Sequence, residues 1–154
     1  MLTFIISILI TSVAAVTGGR FRPDAWYAGL AKPLGLPPPW VFPVVWTALY
    51  VMMAIAAALI FITVDSPART VGLLLYAAQL GANAAWSWLF FGRRAILGAL
   101  LDLLLLIVLV ALTTMVFFPL NFWAGLLLVP YLVWLFIALY LNAAVWYLNR
   151  AAPV

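Results

Sequence analysis

The sequence predicts an all-α membrane protein with five transmembrane helices and a long proline-rich loop between the first two. The chain of 154 residues is 70% hydrophobic and only 6% charged, whereas a soluble domain has about 25% charged residues. Its apolar residues form continuous runs about twenty residues long, which is the length a helix needs to cross a bilayer. Strands of a membrane barrel would instead alternate apolar and polar residues. We therefore expect a single transmembrane domain over residues 1–154.

Turn signals divide the apolar sequence into five predicted spans. They cover approximately residues 2–18, 41–63, 71–91, 95–118 and 122–148. Small residues recur at four-residue steps in the first span, which favours close packing inside the bundle or, alternatively, a dimer seam. Pro43 falls in the first turn of the second span, where a missing N–H costs nothing. Pro130 predicts a bend in the fifth span.

The connection over residues 20–40, which we name the lid loop, is the longest in the chain. It holds Pro33, Pro37, Pro38 and Pro39. A connection of this length in a small compact protein is more often a lid or a binding loop than a simple link.

The distribution of basic residues predicts the orientation in the membrane. Arg69 lies in the second connection, while the first connection, the third connection and the tail hold Arg20, Arg22, Lys32, Arg93, Arg94 and Arg150. Because positive charge favours the cytoplasmic side, we expect the N-terminus outside and the C-terminus in the cytoplasm.

Composition excludes several classes of chemistry. The chain has no cysteine and no histidine, and three acidic residues in all. We therefore expect no disulfide, no metal site and no hydrolase or metalloenzyme activity. A haem could not be ligated by histidine or cysteine. There is also no basic cluster with interleaved aromatics, so nucleic acid is not an expected partner.

Three predicted helix faces alternate aromatic, polar and small residues. On the third span the face holds Gln79, Asn83, Trp86, Ser87 and Phe90. The second span contributes Trp46 and Tyr50, and the fifth contributes Tyr131, Trp134, Ala138, Leu141 and Asn142. Such faces predict a cavity lined by rings, with amides that orient a guest. The alternative is that the faces pack against one another, with Asn83 and Asn142 forming interhelical hydrogen bonds.

Two further features of the predicted spans have open interpretations. Asp102 is the acidic residue inside a span, where we expect a structural role, either hydrogen-bonded or directed toward Arg93 and Arg94. Near the tail, Val145, Tyr147 and Arg150 fit a loose pattern proposed for sterol contact, which many interfacial helices match by chance.

Four stretches in this order resemble the TspO/translocator protein family of tryptophan-rich sensory proteins, also called peripheral benzodiazepine receptors. They are WYAGLAKP (26–33), PPPWVFPVVWTALY (37–50), YAAQLGANAAWSWLFFG (76–92) and VPYLVWLFIALYLN (129–142). The resemblance covers nearly the whole chain. It implies a five-helix bundle, usually a homodimer, in a membrane that we expect to be bacterial.

The resemblance also implies a function. Family members bind tetrapyrroles such as protoporphyrin IX, and mitochondrial relatives bind cholesterol and benzodiazepine-receptor ligands. We therefore expect a membrane receptor, transporter or sensor with no obligatory cofactor and a porphyrin as its ligand. The alternative is an enzyme that degrades porphyrin with light and oxygen, with Trp46 and Trp134 as the catalytic residues.

Carried over by motif, the pocket is closed by the lid loop and lined by the second, third and fifth spans. The family positions fall on Tyr27, Trp46, Asn83, Ser87, Trp134 and Ala138, and the full predicted set adds Pro38, Trp40, Tyr50, Gln79, Trp86, Phe90, Leu141 and Asn142. Arg20, Arg22 and Lys32 are candidates for contact with porphyrin carboxylates, or they simply follow the charge rule for cytoplasmic loops. Gly35 stands where the family commonly has a loop tryptophan, so lid closure is expected to be looser.

Overall fold

The computed structural model describes Thr11, Phe21 and residues 23–150, and this part of the chain is all-α, without a strand. The all-α prediction is therefore confirmed for the described residues. Of the predicted first span, only Thr11 is described. It is helical, and its hydroxyl lies 2.8 Å from the hydroxyl of Tyr76. Arg20 and Arg22 lie outside the described residues.

Five α-helices follow one another along the described chain. They are α1 (Ala25–Gly29), α2 (Val41–Phe61), α3 (Pro67–Ser87), α4 (Ile96–Leu120) and α5 (Phe122–Asn149). A π-helical turn over Trp88–Gly92 continues α3. Both Pro119 in α4 and Pro130 in α5 lie inside continuous helix.

Local sequence explains where the helices begin. The Ser66 side chain accepts a hydrogen bond from the Arg69 backbone N–H, and Pro67 occupies the first turn of α3. The Asn121 side chain accepts one from the Ala124 N–H at 3.1 Å, so it caps α5 directly after α4 ends. Side chains of this kind satisfy backbone donors that the first turn of a helix leaves unpaired.

Three of the described helices, namely α2, α4 and α5, are long and apolar enough to cross a membrane by length and composition. Helix α3 has the same length as α2 but carries more polar side chains. Two of these polar residues, Gln79 and Asn83, are buried inside the bundle. The outer surface of α4, by contrast, exposes leucines such as Leu101 and Leu105.

Helix α4 packs along both α3 and α5, while α2 packs mainly against α5. The core between them includes Met53, Ile60, Leu106 and Leu135, all at most 1% exposed. Small side chains permit close approach in two places. A Cβ atom added at Gly72 would lie 3.1 Å from the Phe117 ring, and Ala56, Ala57 and Ala58 are fully buried. This packing leaves an open space at the end of the bundle that carries the lid loop.

Candidate ligand-binding cavity

A cavity of 560 Å³ lies between the helices beneath the lid loop. This volume is within the range of about 300–1,000 Å³ that is typical of small-molecule sites. The loop contributes Phe21, Pro23, Leu36 and Pro39, with Tyr27 from α1. The helices and the π-helical turn contribute Phe42, Pro43, Trp46, Thr47, Tyr50, Asn83, Trp86, Ser87, Phe90, Phe91, Leu103, Leu106, Trp134, Leu135, Ala138, Leu141, Asn142 and Val145.

Rings from α2 and α5 form one part of the cavity lining. We name this group the first aromatic wall: Phe42, Trp46, Tyr50 and Trp134 line the cavity, and the buried Tyr131 packs against Trp46 without lining it. The Trp46 ring centroid lies 5.5 Å from that of Tyr50 and 6.1 Å from that of Tyr131, and Phe42 lies 5.9 Å from Trp134 in an edge-to-face arrangement. These separations are in the favourable range for aromatic pairs. Phe42 was not predicted, although it precedes Trp46 by one helical turn.

Rings from α1, α3 and the π-helical turn form a second part of the lining. The second aromatic wall consists of Tyr27, Trp86, Phe90 and Phe91, which line the cavity, and of Trp26, which packs against Phe90 without lining it. Trp86 stacks on Phe90 with 5.2 Å between centroids, and Tyr27 meets both Phe90 and Phe91 edge to face. The π-helical turn contains the adjacent residues Phe90 and Phe91, and both line the cavity. Turns of this type are frequent at functional sites, but sequence periodicity gives no signal for one.

Asn83 joins three helices at the base of the first aromatic wall. Its Oδ1 accepts a hydrogen bond from the Tyr50 hydroxyl at 2.7 Å, and its Nδ2 donates to the Tyr131 hydroxyl at 2.8 Å. The side chain is 5% exposed. Its protein partners make it an interhelical connection that orients two rings.

Asn142 has the same role on the other side. Its Oδ1 accepts from the Trp86 indole N–H at 3.0 Å, and its Nδ2 donates to the Ile96 carbonyl at 3.1 Å. Both asparagines line the cavity, yet their hydrogen bonds go to protein groups. The indole N–H of Trp134, by contrast, is a buried donor without a partner among the described residues. This nitrogen has almost no accessible surface, so it is the ring of Trp134, and not its N–H, that faces the cavity.

The lid loop is attached to the bundle on one side through Asp24. Its carboxylate accepts a hydrogen bond from the Tyr27 backbone N–H at 3.1 Å and pairs with Arg94 at 3.0 Å. That hydrogen bond, and then the Arg94 guanidinium, hold the pKa of Asp24 below its ordinary value. Any stability from these contacts is thus present above the ordinary pKa of an aspartate and is lost as the pH falls through the lowered pKa. Burial raises the pKa of Tyr27, which stays a neutral phenol.

The other side of the lid loop is attached to the end of α5. The Asn149 side-chain amide accepts a hydrogen bond from the Ala31 N–H and donates one to the Ala31 carbonyl, both at 3.0 Å. The Tyr140 hydroxyl donates to the Leu34 carbonyl at 3.3 Å. Opening the lid loop on this side therefore requires breaking these backbone contacts.

Asn149→Ala is expected to loosen the lid loop. Because the Asn149 side chain directly protects the Ala31 amide, losing both hydrogen bonds should raise the amide exchange rate of that residue by about tenfold. Hydrogen–deuterium exchange of the lid loop measures this. Exchange in the middle of α4 serves as the internal control and should not change. Unchanged exchange at Ala31 would contradict the assigned contact.

Gly35 adopts φ +83°, and a Cβ added there would meet nothing within 4 Å. This left-handed conformation favours glycine and strains other residues, so a tryptophan at this position would require a different path for the loop. The next residue, Leu36, lines the cavity. At this turn the loop therefore covers the cavity with an aliphatic side chain, and its aromatic contribution comes from Phe21 instead.

The structure brings most of the predicted ligand-binding residues to this cavity. They are Tyr27, Trp46, Tyr50, Asn83, Trp86, Ser87, Phe90, Trp134, Ala138, Leu141 and Asn142. Pro38 and Trp40 do not line it, and Trp40 is 67% exposed. Gln79 is also outside the lining, because it is buried deeper in the bundle, where neither of its side-chain polar atoms has a partner in the described part of the chain.

The predicted charged and sterol-contact residues lie in different places. Lys32 does not line the cavity, but its ammonium nitrogen lies 4.9 Å from the ring centroid of Tyr27, which does. Val145 faces the cavity, whereas Tyr147 is 60% exposed on the outside, with the Arg150 guanidinium 4.2 Å from its ring centroid. The residues of the predicted sterol pattern therefore do not share one site, since Val145 faces the cavity and Tyr147 faces the outside of the bundle.

Asp102 is half-buried in α4, and one of its carboxylate oxygens is buried without a hydrogen-bond partner from the described residues. The expected hydrogen bond is therefore not formed at that oxygen. No group of three His, Cys, Asp or Glu side chains that could hold a metal occurs in the part of the chain that the structure describes.

The apolar helices around an aromatic cavity define a membrane protein with a pocket of small-molecule size. The TspO/MBR family model matches residues 5–148, and the chain belongs to that family. It is 37% identical to protein CrtK of Rhodobacter capsulatus over 147 residues, which cover 95% of this chain and 92% of the relative. It is 41% identical to a tryptophan-rich sensory protein of Cereibacter sphaeroides, with 90% and 86% covered. Its identity to the human translocator protein is 39%, with 90% and 85% covered.

Proposed function

We propose that the chain is a membrane receptor or transporter for a flat hydrophobic tetrapyrrole of the protoporphyrin IX type. The observation that carries this proposal is the 560 Å³ cavity between two aromatic walls. A macrocycle is an apolar disc, so its faces are best covered by aromatic and aliphatic side chains. A sterol or a synthetic aromatic ligand of comparable size is the competing occupant.

The carboxylates of such a ligand would lie at the mouth of the cavity. The ammonium nitrogen of Lys32 lies 4.9 Å from the ring centroid of Tyr27, a residue that lines the cavity. A charge-assisted contact with a ligand carboxylate would be stronger than a neutral hydrogen bond. Arg20 and Arg22 belong to the same loop and are proposed for the same role from their sequence position.

We further infer that all five predicted helices cross the membrane and, from the family resemblance alone, that the protein forms a homodimer. Helix α3 supports the first point: its 21 residues span about 32 Å, close to the thickness of a bilayer core. Its two amides are buried within the bundle, where lipid cannot contact them. Lys32, Arg93, Arg94 and Arg150 lie at the end of the bundle that carries the lid loop, which supports a cytoplasmic position for that end.

Trp46→Ala and Trp134→Ala are each expected to weaken protoporphyrin IX binding by about tenfold. Each change removes one ring from the first aromatic wall. A lost aromatic contact costs about 0.5–1.5 kcal/mol in addition to the apolar area that is no longer buried, and a tenfold loss of affinity corresponds to about 1.4 kcal/mol. Fluorescence quenching of the purified protein in the dark measures the affinity. Trp40→Ala is the matched control, since Trp40 lies outside the cavity, and its affinity should equal that of the parent. If the parent and the three variants bind protoporphyrin IX with equal affinity, the ligand does not bind in the cavity.

The second candidate is light-dependent porphyrin degradation. Its supporting observation is that Trp46 and Trp134 both line the cavity, so both rings would contact a bound macrocycle. Illumination with oxygen should then yield a distinct product, and Trp134→Phe should suppress that product while retaining binding in the dark. Identical bleaching without protein would exclude this activity.

A further inference from the structure

A second depression, the outer groove, lies on the outside of the bundle and, among the described residues, shares no lining residue with the cavity. Its floor is formed by Leu100 of α4 and by Ala143 and Ala144 of α5, and Leu148 extends it toward the end of α5. The lid loop forms one edge through Lys32 and Leu34. The groove is therefore apolar along the helices and basic at the end where the spanning helices meet the loop.

Two cations at this end are not paired with a carboxylate of the described residues. The Lys32 ammonium group donates to the carbonyls of Ala28 and Leu30, at 3.0 and 3.2 Å. Arg150 lies over the ring of Tyr147, which lines the groove. These neighbours are uncharged, so they do not neutralise the positive charge of Lys32 or Arg150.

The chain offers no other acidic side chain to neutralise them. It has three acidic residues. Asp24 pairs with Arg94, and Asp65 pairs with Arg69. The third, Asp102, lies within α4 and forms no salt bridge in the described part of the chain. No acidic side chain therefore pairs with Lys32 or Arg150 in the described part of the chain.

A hydrogen-bonded pair lies next to both cations in the chain. Ala31 and Asn149 are joined by two hydrogen bonds of 3.0 Å. Lys32 follows Ala31 in the chain and Arg150 follows Asn149, so the backbones of the two cationic residues flank one contact.

We propose that the outer groove binds an anionic phospholipid, with an acyl chain along the groove and the phosphate held by Lys32 and Arg150. The apolar floor suits an acyl chain, and unneutralised cations at the membrane surface attract anionic headgroups. A sterol has no charge to match them. Because Lys32 and Leu34 belong to the lid loop, a bound lipid also holds this side of the loop against α5.

The test uses lipid bilayers of phosphatidylcholine that contain a small fraction of a chain-brominated lipid, which quenches nearby tryptophan. Trp146 lines the groove and reports occupancy, and the difference between the parent and Trp146→Phe isolates its signal. We expect brominated phosphatidylglycerol to be preferred over brominated phosphatidylcholine by about twenty-five-fold, roughly fivefold for each cation. The Lys32→Gln/Arg150→Gln variant should lose nearly all of this preference, and each single variant about half of it on a logarithmic scale.

Arg93→Gln is the matched control. Arg93 also faces a ring, with its guanidinium 5.6 Å from the Trp88 centroid, but Trp88 does not line the outer groove, whereas Tyr147, the ring beneath Arg150, does. Its variant should keep the full lipid preference. The proposal is overturned if the parent shows no preference, if the double variant keeps it, or if Arg93→Gln loses as much as the double variant. Displacement of the brominated phosphatidylglycerol by a sterol at equal mole fraction would overturn it as well.

Discussion

Ala138→Trp is expected to abolish protoporphyrin IX binding, with at least a hundredfold loss of affinity. Ala138 lines the cavity from α5 and lies one helical turn beyond Trp134. An indole ring there would occupy space that the proposed macrocycle needs, because the aromatic walls on both sides are already packed. Titration by tryptophan fluorescence and by porphyrin absorbance measures the loss.

Val133→Trp is the control for this substitution. Val133 lies on the same helix but is 56% exposed on its outer surface, away from the cavity. This variant should bind protoporphyrin IX like the parent. Full affinity in Ala138→Trp, with the fold intact by circular dichroism, would show that the ligand does not occupy the cavity.

Asn83→Leu is expected to destabilise the bundle by about 2 kcal/mol. The substitution removes both hydrogen bonds of the amide and leaves the hydroxyls of Tyr50 and Tyr131 without partners. An unpaired buried polar group costs about 1–3 kcal/mol, and hydrogen bonds between transmembrane helices contribute about 0.6 kcal/mol on average. Denaturant titration in mixed micelles measures the free energy of unfolding. Because Tyr50 also lines the cavity, ligand affinity should fall in the same variant.

A triple variant separates the loss of hydrogen bonds from a simple packing defect. Adding Tyr50→Phe and Tyr131→Phe to Asn83→Leu removes the two hydroxyl groups that lack a hydrogen-bond partner and keeps both rings. Most of the lost stability should then return. If the triple variant is as unstable as Asn83→Leu alone, the amide is important for its shape and not for its hydrogen bonds.

Much of the fold was predictable because lipid imposes a simple rule on sequence. Long apolar runs separated by Pro, Gly and charged residues predict helices. Helix α2 begins at Val41 and helix α5 begins at Phe122, which are the first residues of the corresponding predicted spans. Helix α3 begins earlier than expected, at Pro67, because Ser66 caps it and proline is tolerated in a first turn.

The candidate cavity was partly predictable for a similar reason. Trp86, Asn83 and Phe90 fall on one helical face, and a face that is polar or aromatic in an apolar helix marks the interior of a bundle. Leu103 and Leu106 of α4 also line the cavity, but they left no signal because leucine is abundant on every face of that helix. Phe91 was missed because the π-helical turn changes the spacing on which the prediction relied.

The roles of the two asparagines could not be derived from sequence. Spacing placed Asn83 and Asn142 on the interior faces, but it left open whether they bind a ligand or other helices. Their hydrogen bonds to Tyr131 and to the Ile96 carbonyl join residues far apart in the chain. The structure favours the interhelical interpretation for both asparagines, because the donors and acceptors of their side chains pair with protein groups.

The most direct test of the tetrapyrrole proposal is an NMR measurement on protein labelled with ¹³C in its alanine methyl groups. The methyl group of Ala138 lies in the cavity, whereas those of Ala143 and Ala144 lie in the outer groove of the same helix. An Ala138→Gly spectrum assigns the first signal. Bound protoporphyrin IX should give nuclear Overhauser contacts between its ring protons and the Ala138 methyl group alone. Contacts to Ala143 or Ala144 and none to Ala138 would contradict a ligand between the two aromatic walls.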